Sequence, residues 1–261
     1  GTTVKGVSLV EHSPRTGTIW SGVVSARVRP WPHSDHKAFL VINGAHGPEM
    51  QLPDEPILNT WIQTISSWGY RSVRTSALAP SASSPLERLG FSVSQSLVLL
   101  QKSHDQSVPQ FATNHSTHLV RSLPLLSRPS RATIDAILGV DASAFGTEWS
   151  LDTATFEEAL KATRHWRIFV SRAENSIDGF VLAGVTQSHG FIQRLAVRPN
   201  AQREGVASAL LTSALNWTQS RRCTNTVVNT DHNNEAALAL YHKFGFATLD
   251  YGLSVLEKTL P

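Results

Sequence analysis

The sequence predicts an α/β fold with an α+β mixed sheet, made of two tandem copies of one unit, the first of them reduced. Three observations carry that reading. Stretches with helical spacing of apolar residues alternate with stretches of strand-like parity. Residues 103–118 lose that periodicity and carry polar residues around Pro109, as an interdomain linker does. Either side of the linker closes in the same way. Leu86-Glu87-Arg88-Leu89-Gly90-Phe91 parallels Leu240-Tyr241-His242-Lys243-Phe244-Gly245-Phe246: a helix end, a glycine that stops it and an aromatic residue that opens a strand. The expected divisions are a first domain at 1–102, the linker at 103–118 and a second domain at 119–261.

In the first half, Ile57, Leu58, Trp61, Ile62, Ile65 and Trp68 recur at helical spacing and stop at Gly69. Tyr70 to Leu78 reads as a strand. Ser84-Pro85-Leu86-Glu87 combines an N-cap serine, a proline at the first helical position and a capping-box glutamate, which predicts a short helix ending at Gly90. Phe91, Val93, Leu97 and Leu99 share one parity and predict a strand. After the linker, His118 to Leu126 reads as a strand, Ser130 caps a helix towards Gly139, and a second helix follows Asp152 with Phe156, Leu160 and Thr163 on one face. Residues 168–171, 179–186 and 191–197 are three strands between polar turns. Pro199 ends the last of these, and a helix starts near Gly205 with Val206, Leu210, Ala214 and Trp217 as its buried stripe. A strand at 226–229, a helix at 235–244 and a strand at 251–256 complete the pattern.

Composition narrows the function. Of 261 residues 41% are hydrophobic and 16% charged, against roughly 25% charged in an average soluble domain, which excludes wholesale disorder. The net charge is +3, and no Lys/Arg cluster is denser than Arg27/Arg29 or Arg221/Arg222, so no nucleic-acid partner is expected. One cysteine, Cys223, rules out an internal disulfide and a multi-cysteine metal site, and points to a reducing, cytoplasmic setting. No apolar run approaches the roughly 18 residues of a membrane span, and nothing reads as a signal peptide. His33, His36, His46 and His165 lack metal-ligand spacing, so no metal is expected.

The chemistry-bearing stretch runs from Leu195 to Ala207 and on into the amphipathic helix. A strand that passes through a glycine-containing turn into a helix leaves several backbone N–H groups unpaired at the positive end of the helix dipole. A pyrophosphate suits that end, and Gly205 lets the backbone approach it closely. The plainer reading of the same residues is that Gly205 and Ala207 only let the helix pack closely on its sheet.

Gln202-Arg203-Glu204-Gly205-Val206-Ala207 resembles motif A, Gln/Arg-x-x-Gly-x-Gly/Ala, of the GNAT superfamily of acetyl-CoA-dependent N-acetyltransferases. The stretch from Asn234 to Phe246 resembles its motif B, with the asparagine that opens the helix and the tyrosine before Gly-Phe. The resemblance covers most of 119–261, and the layout of two copies with one cofactor site resembles the mycothiol synthases. It implies that acetyl-CoA is bound here. The backbone of Leu195 and Val197 would pair with the pantetheine arm. The amides of Arg203, Glu204, Gly205, Val206, Ala207 and Ser208 would hold the pyrophosphate, with the Ser208 hydroxyl as a further donor. Asn234 is either a plain helix N-cap or also a contact to the cofactor arm. The resemblance makes Tyr241 the general acid that protonates the departing thiolate; the alternative is a tyrosine buried for its ring. In the first half, Leu52-Pro53-Asp54-Glu55-Pro56 takes the place of motif A; its prolines remove donors and its carboxylates repel phosphate, so no cofactor is expected there.

Many relatives carry a basic glutamate at positions that align with Phe191 and Asn229, and neither can take a proton usefully. Glu148, His189, Asp231 and His232 are the loop groups that could face the cleft. The acceptor pocket of this fold would be lined by Asp141 to Leu151, including Phe145, with Trp149 expected in the core. The expected partner is a primary amine on a small molecule or peptide. A non-catalytic acyl-CoA-binding module is the rival reading, and a tandem-repeat interaction protein without cofactor the third.

Overall fold

The computed structural model of the chain describes residues 15–122 and 128–261. They fall into two compact units. One runs up to Ser94 and resumes at Ser254–Pro261; the other is Gln95–Leu253.

In the first unit, β1 (Gly17–Trp20), β2 (Ser25–Pro30) and β3 (Lys37–Ile42) form an antiparallel meander. The sequence reading assigns no element here, although buried Ala26 and Val28 flank exposed Arg27, as one-sided burial of a strand requires. The chain then crosses through α1 (Glu55–Ser67) to β4 (Ser72–Thr75), which lies parallel to β3. Leu58, Trp61, Ile62 and Ile65 are the buried stripe of α1, and left-handed Gly69 (φ 97°) stops it.

The next helix departs from expectation. α2 (Pro80–Arg88) begins four residues before Ser84, with Ala79 as its N-cap, and Pro85 lies inside it. Pro80 takes the first helical position, where a missing N–H costs nothing, and burial of Ala82, Ser83 and Leu86 carries the helix through Pro85.

The second unit has the strand order β5 (Ser92–Ser103), β10 (Asn225–Asp231), β9 (His189–Val197), β8 (Ser176–Thr186), β7 (His165–Ala173) and β6 (Thr117–Leu119), with β11 (Ala247–Thr248) also on β5. The strand expected to run to Leu126 is described only as β6, since residues 123–127 lie outside the described part. Buried Phe180 and Leu182 of β8 point to one face and Val181 and Ala183 to the other, so each face has a core. α3 (Arg131–Trp149) and α4 (Thr153–Lys161) cover the first face, and α5 (Val206–Ser220) and α6 (Glu235–Lys243) the second. Ser130 and Asp152 cap α3 and α4 as expected, accepting from the amides of Thr133 and Thr155. Gly139 does not end α3. Buried Ile137 and Val140 hold the helix on either side of it, and the interruption comes at Gly146 (φ 74°).

The repeat is visible as topology. β3-α1-β4 and β9-α5-β10 are both parallel pairs joined by a helix, and each is followed by a helix and a strand. Those closing strands are exchanged. β5 follows the first copy in sequence but pairs antiparallel with β10, whereas β12 (Leu253–Thr259) follows the second copy and pairs antiparallel with β4. Residues 95–102 and 254–261 therefore group across the division read at 102 and 119. Apolar parity is the same whichever neighbour receives a strand, so the sequence carries no address for it. Residues 104–116 are irregular but packed down: Val108 is buried and Phe111 meets Phe244 edge-on at 5.0 Å.

Candidate active site

The site starts from a parting of strands. β9 and β10 pair in parallel only from His189 and Asn225 to Ile192 and Val228, after which β9 continues to Val197 against β8, and β10 continues to Asp231 against β5. A register shift between Leu182 and Ala183 leaves Gln193 as the extra residue of β9 at the fork. From Gln193 to Val197 the edge of β9 that faces away from β8 has no strand partner among the described residues, which leaves a row of backbone groups able to take an extended ligand arm as an added strand.

At the far end of this edge the chain passes a 3-10 turn, Pro199–Ala201, and enters α5. Arg203 (φ 66°) and Gly205 (φ 93°) are both left-handed, and Gly205 is an N-cap without a side-chain bond. The first intrahelical bond runs from the amide of Ala209 to the carbonyl of Gly205, leaving the amides of Val206, Ala207 and Ser208 at an open positive helix end. Gln202, a motif residue with no role assigned from sequence, donates from Nε2 to the Val197 carbonyl at 3.0 Å and ties the turn to the strand. Gly179 lets α5 sit low on the sheet: a Cβ there would lie 2.9 Å from Val206 Cγ1 and 3.0 Å from Leu210 Cδ1.

The fork opens into a cleft of about 370 Å³ with Ile192 and Val228 at its apex. Leu195, Asn234 and Tyr241 line it, as do Asn229, Phe145 and Trp149. Asn234 accepts from the amide of Ala237 at 3.1 Å and is thus at least the N-cap of α6. Tyr241 is 4% exposed, its ring 5.4 Å from that of Phe246, and burial raises its phenol pKa, so the group enters any reaction protonated. On the opposite wall Arg194 donates to Asp141 from Nε at 2.7 Å and from Nη2 at 3.0 Å, donates to the Trp149 carbonyl at 2.8 Å, and lies 3.8 Å from the Phe145 ring centroid.

Residues 136–246 match the model of the acetyltransferase (GNAT) family. This segment is similar to a GNAT domain. Solved structures share the fold over most of the chain: a GCN5-related N-acetyltransferase from Sphaerobacter thermophilus (TM-score 0.59, 19% identity, 91% of this chain and 77% of that one) and another from Kribbella flavida (0.61, 12%, 93% and 89%). A tandem GNAT protein from the clavulanic acid biosynthesis pathway is similar too (0.61, 11%, 90% and 78%). A comparison with curated protein sequences gives no match. The GNAT family generally transfers acyl groups, binds acetyl-CoA and acts on amine acceptors. The free edge of β9 and the uncapped start of α5 fit that cosubstrate.

Of the sequence-expected residues, Leu195, Asn234 and Tyr241 meet in the cleft, while Arg203, Glu204, Gly205, Val206, Ala207 and Ser208 form the turn and helix start beyond it. Val197 is buried at the end of β9. Trp149 lines the cleft rather than the core, because the break at Gly146 turns the end of α3 inward. Phe191 sits in the paired part of β9, opposite Val227. Of the four loop groups, only Asp231 lines the cleft; His189 bonds Asn225 at the other end of the strand, and Glu148 and His232 are exposed. Gln95 and Leu97 of β5 also line it. No local signal marks them, since the strand that brings them comes from the first half. Among the described residues no His/Cys/Asp/Glu group could hold a metal ion, and no described helix is long and apolar enough to cross a membrane.

Proposed function

We propose that the chain is an acetyl-CoA-dependent N-acetyltransferase of the cytoplasm, which transfers acetyl by direct attack of a primary amine on a small molecule or peptide. The unpaired edge of β9 leading to the uncapped Gly205 turn is the observation that carries this reading, because it offers a strand partner for an extended arm and an anion site at its end. Leu195 and Val197 take the pantetheine arm, residues 203–208 the pyrophosphate, and Asn234 a further contact to the arm. Tyr241 supplies a proton to the leaving thiolate. The catalytic copy is the one at 119–261, its cleft completed by Gln95 and Leu97 of β5, with the rest of the first copy as structural partner. In that first copy Pro53, Asp54 and Glu55 line a smaller cavity of about 250 Å³, where carboxylates repel phosphate.

A non-catalytic acyl-CoA-binding module is favoured by one observation, the apolar and amide side chains of Phe191 and Asn229 where relatives carry a base. Calorimetry with CoA followed by thioester loss over an amine panel separates the two. The enzyme reading expects one CoA per chain and turnover with some amine. Absence of CoA binding overturns both readings, and a stoichiometry near two overturns the lost site of the first copy.

A further inference from the structure

Three ionisable side chains line the cleft: Asp231, Arg194 and Tyr241. Arg194 carries its counter-charge with it in Asp141, whose carboxylate is fully buried, so the pair is neutral as a unit. Tyr241 is held protonated by burial. What remains is the single negative charge of Asp231, at the last position of β10. The carboxylate is fixed in place: Oδ2 accepts from Gln95 Nε2 at 3.0 Å and Oδ1 from the amide of Asn233 at 2.8 Å. Exposed His232 lies beside it, with Nδ1 3.6 Å from Oδ1 and 3.2 Å from the Ser96 carbonyl. A second acceptor lines the same cleft. Gln193 Oε1 is buried without a hydrogen-bond partner among the described residues and is placed to accept from a donor bound in the cleft.

We propose that Asp231 is the acceptor-side catalytic residue: it binds the substrate as an ammonium ion and takes its proton. This rests on the acetyltransferase reading above. An ammonium group carries three N–H donors and one positive charge, the complement of one carboxylate and one orphaned amide oxygen. In the step, one N–H bond breaks, its proton passes to a carboxylate oxygen of Asp231, and its electron pair stays on nitrogen, which becomes the neutral nucleophile. Nothing is oxidised or reduced. The body of the substrate meets Phe145, Trp149 and Leu97, which are apolar. A carboxylate beside the amine would face Asp231 and an arginine already engaged by Asp141. The substrate class is therefore a primary amine on an apolar stem, rather than an α-amino acid.

The test uses the full chain with 2-phenylethylamine and phenylalanine as probes, read by thioester loss from acetyl-CoA, with CoA affinity measured separately by calorimetry. The amine is expected to exceed phenylalanine at least tenfold in kcat/KM. Asp231→Asn keeps the side chain's size and its acceptor for the Asn233 amide, and asks only that the Gln95 amide turn over so that its Oε1 accepts from the new Nδ2; it is expected to lower kcat/KM for the amine by about 10²-fold or more while CoA affinity stays within about twofold. Asp231→Glu, which restores the charge, is expected to recover part of that loss. Full activity in Asp231→Asn, a preference for phenylalanine, or a chain that binds CoA but turns over neither probe overturns this proposal alone. Failure to bind CoA overturns it together with the acetyltransferase reading.

Discussion

Arg194 on β9 and Asp141 in the middle of α3 are joined by two hydrogen bonds, and each partner holds a further backbone group: Asp141 Oδ2 accepts from the amide of Leu151 at 2.7 Å, and Arg194 donates to the Trp149 carbonyl. The pair thus fixes both sides of the break at Gly146 to the central strand. Removing Asp141 strands a guanidinium that is only 22% exposed and orphans an amide. Asp141→Ala is expected to destabilise the second unit by about 3 kcal/mol, the low end for breaking a buried pair because Arg194 keeps some water. Denaturant unfolding measures it, and a loss under about 1 kcal/mol would mean that the pair is not the clamp.

At Gly205, φ of 93° is left-handed, and the residue begins a helix whose first amides await a partner. Gly205→Glu strains that turn and sets a carboxylate against the phosphates. CoA affinity by calorimetry is expected to fall at least about tenfold in a variant that still melts cooperatively. An unchanged affinity would move the cofactor's anion elsewhere.

Tyr241→Phe keeps the ring against Phe246 and deletes only the proton donor. Melting temperature and CoA affinity are expected to stay put while kcat falls about 10²-fold, as for loss of a positioned general acid. Undiminished kcat at neutral pH would leave the residue as packing.

In the first unit, Glu257 on β12 meets Arg74 at 2.6 Å and Lys37 at 2.7 Å. Burial pushes its pKa up, but the hydrogen bonds and charges of Lys37 and Arg74 outweigh burial and hold the carboxyl below the ordinary glutamate value. A group depressed on folding stabilises above its unfolded pKa, and that stability disappears as pH falls through the folded value. Glu257→Gln is expected to be less stable than the parent at pH 7, with the gap closing as pH falls through and below the ordinary glutamate range. A gap that persists at low pH would make the contribution one of packing rather than charge.

Much of this is legible in the sequence itself. α1, α4, α5 and α6 announce themselves by apolar spacing and by caps such as Asp152 and Asn234, which act over three residues. Two prolines five apart, Pro80 and Pro85, each suit a helix start, and only burial of Ala82 and Leu86 decides for the first. That residues 203–208 form a turn into a helix and that Leu195 and Tyr241 line one cleft is legible from the sequence because the motifs that mark them are local. Asp231 is legible only as one of four loop groups that could face the cleft, and Gln95 not at all: the two stand 136 positions apart and meet only because β5 runs beside β10. Trp149 was misread for a related reason, since the kink that redirects it is a backbone dihedral at Gly146 and leaves no mark on spacing.

The exchange of β5 and β12 separates the order of synthesis from the order of folding. Domains commonly fold in turn as they leave the ribosome, N-terminal first. Here every strand of the second unit has been made once Leu253 is added, whereas β4 of the first unit waits for residues 254–261 to supply its neighbour. The unit begun first is completed last, and a nascent chain paused after residue 253 would present β4 as an open edge. The C-terminal residues act as a latch on the N-terminal unit, and their removal is felt about 180 positions upstream, where Glu257 no longer reaches Arg74.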